Sequence, residues 1–540
     1  MKIFNTTIKS LPVLALLTLA SCNDYLDTIP SKGNNEMLTS SEQVEALFNN
    51  NSMFIQSVSV PVASSDDMGM DNNMYDSLGY MDQDFVNGLT FAVNDIETNQ
   101  YGDALWEGAY NKIFTANLII NEIDQVKDAT ETQKTNFLAQ AHFIRALAMW
   151  ELAQTYCQPY SSTTLSAPGL PLRTGNDYQE NVTRASLKDT YDFILNDLKA
   201  ALTTSTEDVG DRWLVSKPAV EAMMARYYLF TQDYAQAEAY AKKAMKSKNV
   251  TLEDYNGYSL EPATVMDPNT SEESSIEYSQ LWSYSPNEVT NYAENYFSAY
   301  FDVSNGIYLI PSESLISLYD QDNDLRFEQF FNKHALWNNS ISGFGDDIQY
   351  HRMQNSYGDD LLTMGPTLPE MILTAAEAEA RQGKVAEAMA TVNTLRRARI
   401  RNSASDIELS ANSQEEAVKK ILDERHREMP FISRWQDIRR LAYNEVSYDD
   451  VTVTHTFYKV VNNVVDNSEV LTYTLPVKSA RYAQPITNLE IRRSKGQISQ
   501  NEYSDNDVVK TVQENNNSEE DNSSEDNDSN NDNDSDNNNE

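Results

Sequence analysis

Residues 216–246 read SKPAVEAMMARYYLFTQDYAQAEAYAKKAMK, and this stretch indicates two helices joined by a tight turn. Pro218 suits the first turn of a helix, where its missing N–H has no partner to lose. Gln232-Asp233 marks the turn. Small residues at helical spacing in the second half would let two antiparallel helices approach closely. These residues are Ala237, Ala241 and Ala244.

The same spacing returns around Gly383. Apolar and small residues recur at steps of three and four on both sides of it, namely Ile372, Ala376 and Ala380 before and Val385, Ala388, Val392 and Leu395 after. Two such copies about 150 residues apart predict helical hairpins stacked as a scaffold, in the manner of tetratricopeptide repeats.

Further helices are predicted on either side of the first pair. One apolar stripe runs through Leu105, Ala109, Ile113, Ala116, Ile120 and Ile123. Polar residues at capping-box spacing, Thr130 with Gln133, Ser186 with Asp189 and Ser413 with Glu416, predict the starts of three more helices. A short helix is expected around 41–50. The fold class predicted is therefore mainly α, a tetratricopeptide-like helical hairpin scaffold.

Two segments, about 55–102 and 250–365, lack the helical period. The second is a long irregular, aromatic-rich insertion, and irregular segments of such length in a compact body are usually functional. Alternating residues from Val451 to Phe457, then Asn462-Asn463, then an apolar run to Val477 predict a small C-terminal β-hairpin.

The N-terminus has the features of an export signal. Lys2 and Lys9 flank a short apolar run from Leu11 to Ala20, and Ser21-Cys22 follows. The pattern resembles a bacterial lipoprotein signal, with residues 1–21 removed and Cys22 acylated. The alternative is an ordinary secretory signal cut nearby, with Cys22 incidental. We expect attachment to a membrane through this lipid anchor only, since no later apolar run has spanning length.

Composition argues against nucleic acid as a partner and indicates the character of the C-terminal residues. The formal net charge of −41 would repel polyphosphate, so no nucleic acid is expected as a partner. Residues 514–540 contain only Asn, Asp, Ser and Glu, which predicts a disordered acidic tail. Cys157 would then have no disulfide partner, and we interpret it as a small buried hydrophobe.

From Cys22 to about Tyr503, the sequence resembles the SusD/RagB family of surface nutrient-binding lipoproteins. The resemblance rests on the order and spacing of several stretches: CNDYLDTIP, LWEGAYNKIFTANLIINEI, AQAHFIRALAMWELAQTY, ARYYLFTQDYAQAEAYAKKAM, EAEARQGKVAEAMATVNTLRRAR, ERHREMPFISRWQDIRRL and YTLPV…PITNLEI…GQISQN. This chain departs from the family where many members have Glu-Gly before Arg-Trp, because it has Ile432-Ser433 and is one residue shorter there. The acidic tail also lies outside the pattern.

The resemblance implies a non-enzymatic protein at the outer face of a Gram-negative outer membrane. Its body, residues 22–513, would pack its hairpin scaffold against a partner SusC-like TonB-dependent transporter barrel. Its less regular half, the segments 55–102 and 250–365, would capture oligosaccharide or peptide. Two alternatives remain open: a scaffold lipoprotein that binds only proteins, and a surface glycoside hydrolase.

The two irregular segments contain the candidate ligand-binding residues. Trp282 and Tyr284 lie in a polar, Pro-interrupted stretch, where aromatic faces could stack on the C–H faces of a sugar ring. Trp337 is a similar candidate. By contrast, the spacing of Tyr292, Tyr296 and Tyr300 is more typical of a buried helix face. The resemblance adds four positions before the first long helix: Asp82, Asp84, Asn94 and Tyr101.

No cofactor and no metal are predicted. The five His are scattered and lack zinc-site spacing. The run DQDND at 320–324 resembles a calcium loop, but Leu325 stands where the turn needs Gly, so we interpret it as a solvated loop. The basic run from Arg396 to Arg401 is interpreted as favourable charge at a helix C-terminus.

Overall fold

The structure is a computed structural model, and it describes most of the chain between residues 38 and 513. The described ranges are 38–57, 60–72, 75–76, 81, 83–92, 103–176, 183–266, 273–279, 291–302, 309–332, 349–350, 361–461 and 464–513.

The described residues form fifteen α-helices. They are α1 Ser41–Phe48, α2 Val60–Ala63, α3 Gln83–Leu89, α4 Ala104–Glu122, α5 Glu131–Tyr156, α6 Leu187–Ala201, α7 Lys217–Phe230, α8 Tyr234–Ala244, α9 Glu313–Ile316, α10 Leu325–Phe330, α11 Leu368–Arg381, α12 Val385–Arg396, α13 Gln414–Glu428, α14 Ile432–Leu441 and α15 Asn488–Arg493. The mainly helical fold class is confirmed, and among these helices none is long and apolar enough to cross a membrane.

Ten short strands form four small sheets in the same part of the chain. They are β1 Ile55–Ser57, β2 Leu260–Met266, β3 Glu273–Ser279, β4 Tyr300–Asp302, β5 Phe331–Asn332, β6 Gln349–Tyr350, β7 Leu361–Thr363, β8 Val453–Val461, β9 Val464–Leu475 and β10 Val509–Val512. The sheet orders are β1-β4-β7, β10-β9-β8, β2-β3 and β5-β6. The predicted C-terminal hairpin is β8-β9, and β10 adds a third strand that the sequence did not suggest.

The two predicted helical hairpins form, and they pack directly against each other. The first is α7-α8, turning at Gln232 with φ +64°, and the second is α11-α12, turning at Gly383 with φ +78°. Helix α11 packs against α7, α8, α12 and α13. All its residues except Arg381 are buried, so α11 is the central helix of the scaffold.

The helix starts predicted from polar residues are also correct. Thr130 and Gln133 form a complete capping box at α5, while Ser186 and Ser413 accept hydrogen bonds from the first-turn N–H groups of α6 and α13. Cys157 follows α5 and is fully buried, as expected. Burial raises the pKa of its thiol to about 11.

One helical prediction is wrong. Tyr292, Tyr296 and Tyr300 are buried, but they do not lie on a helix. The Tyr296 N–H donates to the Pro366 carbonyl at 3.0 Å, and Tyr300 opens β4. The Asn295 N–H closes a single turn with the Tyr292 carbonyl, but the N–H groups of Tyr296 and Ser298 donate to distant residues, so no helix continues through the tyrosines.

The close packing at α11 gives a test of the scaffold. Ala376 is fully buried, so Ala376→Leu should lower the free energy of unfolding by about 1–3 kcal/mol through overpacking. Ala390→Leu, the same change at an exposed position of α12, should alter it by no more than about 0.5 kcal/mol. Denaturant unfolding measures both. Equal effects would show that α11 is not tightly enclosed.

Candidate functional site

Of the ligand candidates, only Asp84 belongs to the part of the chain that the structure describes. It lies half-buried in the first turn of α3. The other predicted positions fall outside the described residues and stay predictions. These are Cys22 for lipidation, and Asp82, Asn94, Tyr101, Trp282, Tyr284 and Trp337 for ligand.

The two segments predicted to face the ligand are joined to each other. Strand β1, from the first segment, pairs in parallel with β4 of the second, with Ile55 opposite Tyr300. Further along, the Gly69 N–H donates to the Ile310 carbonyl at 2.8 Å. A Cβ at Gly69 would lie 2.6 Å from the Pro311 oxygen, so this close approach requires glycine. The two irregular segments are therefore in direct contact with each other.

A compact group of side chains, which we call the clasp, fixes the first of these segments to the junction of α13 and α14. Asp66 accepts two hydrogen bonds of 2.7 Å from Arg434. Asp67 accepts hydrogen bonds from His426 and from the backbone N–H of Phe431, whose φ is +65°. A positive φ is unfavourable for a phenylalanine, and the buried carboxylate holds the backbone in it.

The clasp also contains the grouping of described residues best placed for a metal ion. Ligand atoms of Asp66, Asp67 and His426 lie within 4.8 Å of one another. Their oxygens are already engaged by Arg434, His426 and the Phe431 N–H. This pattern fits a structural contact between distant segments.

The second irregular segment is fixed by a buried ion cluster, which we call the Arg399 cluster. Four arginines face four carboxylates, so the formal charges cancel. Its members are Arg326, Arg396, Arg399 and Arg427, with Glu294, Asp324, Glu424 and Glu428. Glu294, Asp324 and Arg326 come from the insertion, and the others from α12, α13 and the residues after α12.

Distances within the cluster are those of direct ion pairs. Arg399 lies 2.6 Å from Glu294 and 3.0 Å from Glu428. Arg326 lies 2.8 Å from Glu424 and 3.2 Å from Glu428. Burial alone would raise the pKa of Glu424, but the surrounding arginines hold it well below its usual range.

The cluster corrects two sequence interpretations. Arg396 and Arg399 point into the interior and form buried ion pairs there. Only Arg397 and Arg401 point outward, as the interpretation of charge at a helix end would require. The 320–324 run is likewise only partly solvated. Asp320 is exposed, but Asp324 is buried, caps α10 and pairs with Arg326 at 2.7 Å.

Acidic residues on α11 are paired in the same way. Glu377 accepts two hydrogen bonds of 2.7 Å from Arg440, and Glu379 lies 2.6 Å from Lys242. The arginines hold the pKa of Glu377 well below its usual range although burial opposes its charge. Both carboxylates are buried, so this pair does not face an open cleft as glycoside hydrolysis requires.

A cavity of about 250 Å³ lies beside α4, and we call it the α4 cavity. Aromatic residues of α4 form one wall, and polar residues complete the lining. The aromatic residues are Trp106, Tyr110 and Phe114, and the charged residues are Glu107, Arg173, Glu490 and Arg493. The Arg173 guanidinium lies 4.9 Å from the centre of the Tyr110 ring.

Sequence analysis missed this cavity, although α4 carries a signal for it. Trp106, Tyr110, Phe114 and Asn117 recur at steps of four, four and three, beside the apolar stripe that was recognised. This second stripe mixes aromatic and amide side chains; its ends, Trp106 and Asn117, are buried, while Tyr110 and Phe114 between them are partly exposed. Its partners, Arg173 and α15, are distant in sequence, so spacing could not have identified them.

These features define a class of protein: a tetratricopeptide-like scaffold that holds two connected irregular segments and a polar, aromatic-walled cavity. Two family models match the chain. SusD-like_3, described as starch-binding and associating with the outer membrane, matches residues 24–229, and SusD_RagB matches residues 368–503. No curated protein sequence matches.

Solved structures share the fold across nearly their whole length. A SusD-like carbohydrate binding protein from Bacteroides vulgatus has a TM-score of 0.61 at 15% identity, covering 85% of this chain and 97% of its own. A SusD superfamily protein from Bacteroides thetaiotaomicron gives 0.60 at 16%, covering 86% and 100%. A SusD-like protein from Bacteroides fragilis gives 0.60 at 16%, covering 87% and 98%. The chain belongs to the SusD/RagB family.

The Arg399 cluster provides a stability test. Glu424→Gln leaves Arg326, Arg396 and Arg427 short of one negative charge, so it should lower the free energy of unfolding by about 3–5 kcal/mol. Glu408→Gln, which breaks the exposed pair with Arg397, should cost about 0–1 kcal/mol. Denaturant titrations compare the two, and a cost for Glu424→Gln no larger than that of the control would contradict the account.

Glu424→Gln should also change how the free energy of unfolding depends on pH. Because the folded-state pKa of Glu424 is lowered, its contribution is complete above the ordinary Glu value of about 4.3 and is lost as the pH falls toward the lower value. The wild type should therefore lose stability below about pH 4.5 more steeply than Glu424→Gln does.

Proposed function

We propose that this protein captures oligosaccharide at the outer face of a Gram-negative outer membrane and delivers it to a SusC-like TonB-dependent transporter barrel. Residues 1–21 act as a lipoprotein signal, Cys22 carries the lipid anchor, and residues 514–540 form an acidic tail outside the body. The protein acts by binding, not by catalysis, and it uses no cofactor.

The proposal rests mainly on the family match and on the segment between the two matched regions. The two family models leave out residues 230–367, which include the whole aromatic-rich insertion. Binding loops on a rigid scaffold differ most between relatives, because they carry specificity. The insertion is anchored by the Arg399 cluster and by the β1-β4 pairing, so it stands on a fixed base next to the segment that holds Asp84.

Within this proposal, Trp282, Tyr284 and Trp337 provide aromatic surface for sugar rings. Asp82, Asp84, Asn94 and Tyr101 supply hydrogen-bonding groups from the adjoining segment. Sugar recognition needs both kinds of group, because a pyranose ring has apolar C–H faces and polar hydroxyls at its edge.

Trp282→Ala tests the ligand platform. An exposed stacking Trp should contribute about 2 kcal/mol or more to binding and little to stability. Trp150, which is 1% exposed in α5, is the matched control, and Trp150→Ala should cost about 3–5 kcal/mol of unfolding free energy. Calorimetric titration with a panel of oligosaccharides and peptides, together with thermal unfolding, separates the two roles. Unchanged affinity for every ligand would remove Trp282 from the site.

Cys22→Ala tests the anchor. Without the thiol no acyl chain can be attached, so the variant should appear in the soluble fraction of cells that retain the wild type in their outer membrane. Cys157→Ala should remain in the membrane, because that thiol is buried in the body. Radiolabelled palmitate incorporation into Cys22→Ala would refute lipidation at this residue.

A further inference from the structure

Arg173 stands out among the charged residues of the α4 cavity because it lacks a charged partner. It makes no ion pair with any described residue, and its guanidinium donates no hydrogen bond to any of them. Its Nε atom is shielded from solvent without a hydrogen-bond acceptor. Elsewhere in the described chain, arginines such as Arg399 and Arg440 pair closely with carboxylates. A guanidinium left open in a cavity is suited to pair with an anion from outside.

The backbone that carries Arg173 is held in place. The Asn117 amide donates to the carbonyls of Arg173 and Gly175, at 3.1 Å each. Asn117 in turn accepts a hydrogen bond of 2.6 Å from Arg145, which forms two hydrogen bonds of 2.7 and 2.8 Å with Asp197. The contacts of Arg145 are buried and those of the Asn117 amide are partly buried, so the backbone at Arg173 is held before any ligand arrives, which lowers the entropic cost of binding.

The other polar groups of the cavity differ in whether they already have a partner. Arg493 bridges Glu107 and Glu490, so the carboxylates at the rim are engaged by a cation. Asn111 is exposed, and its side-chain amide has no partner among the described residues. Counted over the described lining, the cavity therefore offers one cation without an ion pair, one amide without a hydrogen bond, and an aromatic wall.

We propose that the α4 cavity is a second binding site, which takes an acidic sugar unit through its carboxylate. The inference rests on the proposed function, since it assumes that glycans are the ligands. The carboxylate pairs with the guanidinium of Arg173, the apolar face of the sugar contacts the aromatic wall, and hydroxyls are recognised by the Asn111 amide. The described residues that line the site belong to α4, to α15 and to the segment around Arg173, and none of them comes from the 250–365 insertion.

The chemistry of the lining favours this ligand over simpler ones. A neutral sugar would leave the Arg173 guanidinium without a direct ion pair, because both carboxylates of the lining, Glu107 and Glu490, are paired with Arg493. An inorganic anion would make no use of Trp106, Tyr110 and Phe114. A uronic acid unit combines a planar carboxylate, which matches a guanidinium in two parallel hydrogen bonds, with an apolar ring face.

The test uses the full-length protein and ligands that differ only in charge. Trigalacturonate and a glucuronate-containing tetrasaccharide are each compared with their methyl esters by isothermal titration. The wild type should bind at least one acid tenfold or more tightly than its ester. Arg173→Gln should remove this preference, while Arg397→Gln, at an exposed arginine elsewhere, should retain it.

A second variant provides an independent test in case Arg173→Gln does not fold. Asn111→Asp places a negative charge at an exposed position of the cavity without touching Arg173, and it should weaken acid binding at least tenfold. The inference is overturned if the wild type binds acid and ester equally, or if both variants keep the preference. It is also overturned if N-acetyl-triglycine binds as tightly as the sugar acids but its C-terminal amide does not, because the cavity would then recognise peptide carboxylates.

The two proposals fail separately. If neutral oligosaccharides bind and depend on Trp282 but no acid preference exists, the α4 cavity assignment falls and the proposed function stands. If acid binding depends on Arg173 while Trp282→Ala affects no glycan, the α4 cavity assignment stands and the insertion site falls.

Discussion

The interior of this protein holds charges that have to be buried together. In the Arg399 cluster, four arginines and four carboxylates meet where the insertion contacts α12 and α13. Removing an ion from water is costly, and the cost is offset only when every partner is in place. The scaffold alone would leave three arginines against two glutamates, and Glu294, Asp324 and Arg326 from the insertion add the one net negative charge that balances them. An irregular segment gains a defined position in this way without needing long helices or a large sheet.

The scaffold could be predicted from the sequence because its determinants are local. Capping residues such as Thr130 act on helix starts three residues away, and small residues such as Ala376 recur at a fixed spacing within one helix. The hairpin turn at Gly383 is equally local, since it needs a positive φ that glycine adopts easily. Such signals are readable in a single sequence, so the three capped helix starts and the two helical hairpins were correctly derived.

The parts that could not be predicted depend on contacts between distant residues. The β1-β4 pairing joins residues about 245 positions apart, and the clasp joins Asp67 to His426. No spacing rule reveals such a partner. The same limit explains why the arginines after α12 were misinterpreted and why Arg173 was not considered as a binding residue. For the aromatic candidates near Trp282, the sequence supplies suitable chemistry but not the arrangement in space.

Strand β10 has a consequence for how copies of this protein behave near one another. It lies at the edge of its sheet, and Val509 and Val512 are about half exposed. An open edge with apolar side chains is a template on which a second chain can add a strand, which is a common start of aggregation. Immediately after Gln513 the chain continues into 27 residues that include eleven acidic side chains and no basic ones. Like charge next to each open edge would make two such edges repel, so neighbouring copies of this protein would stay separate.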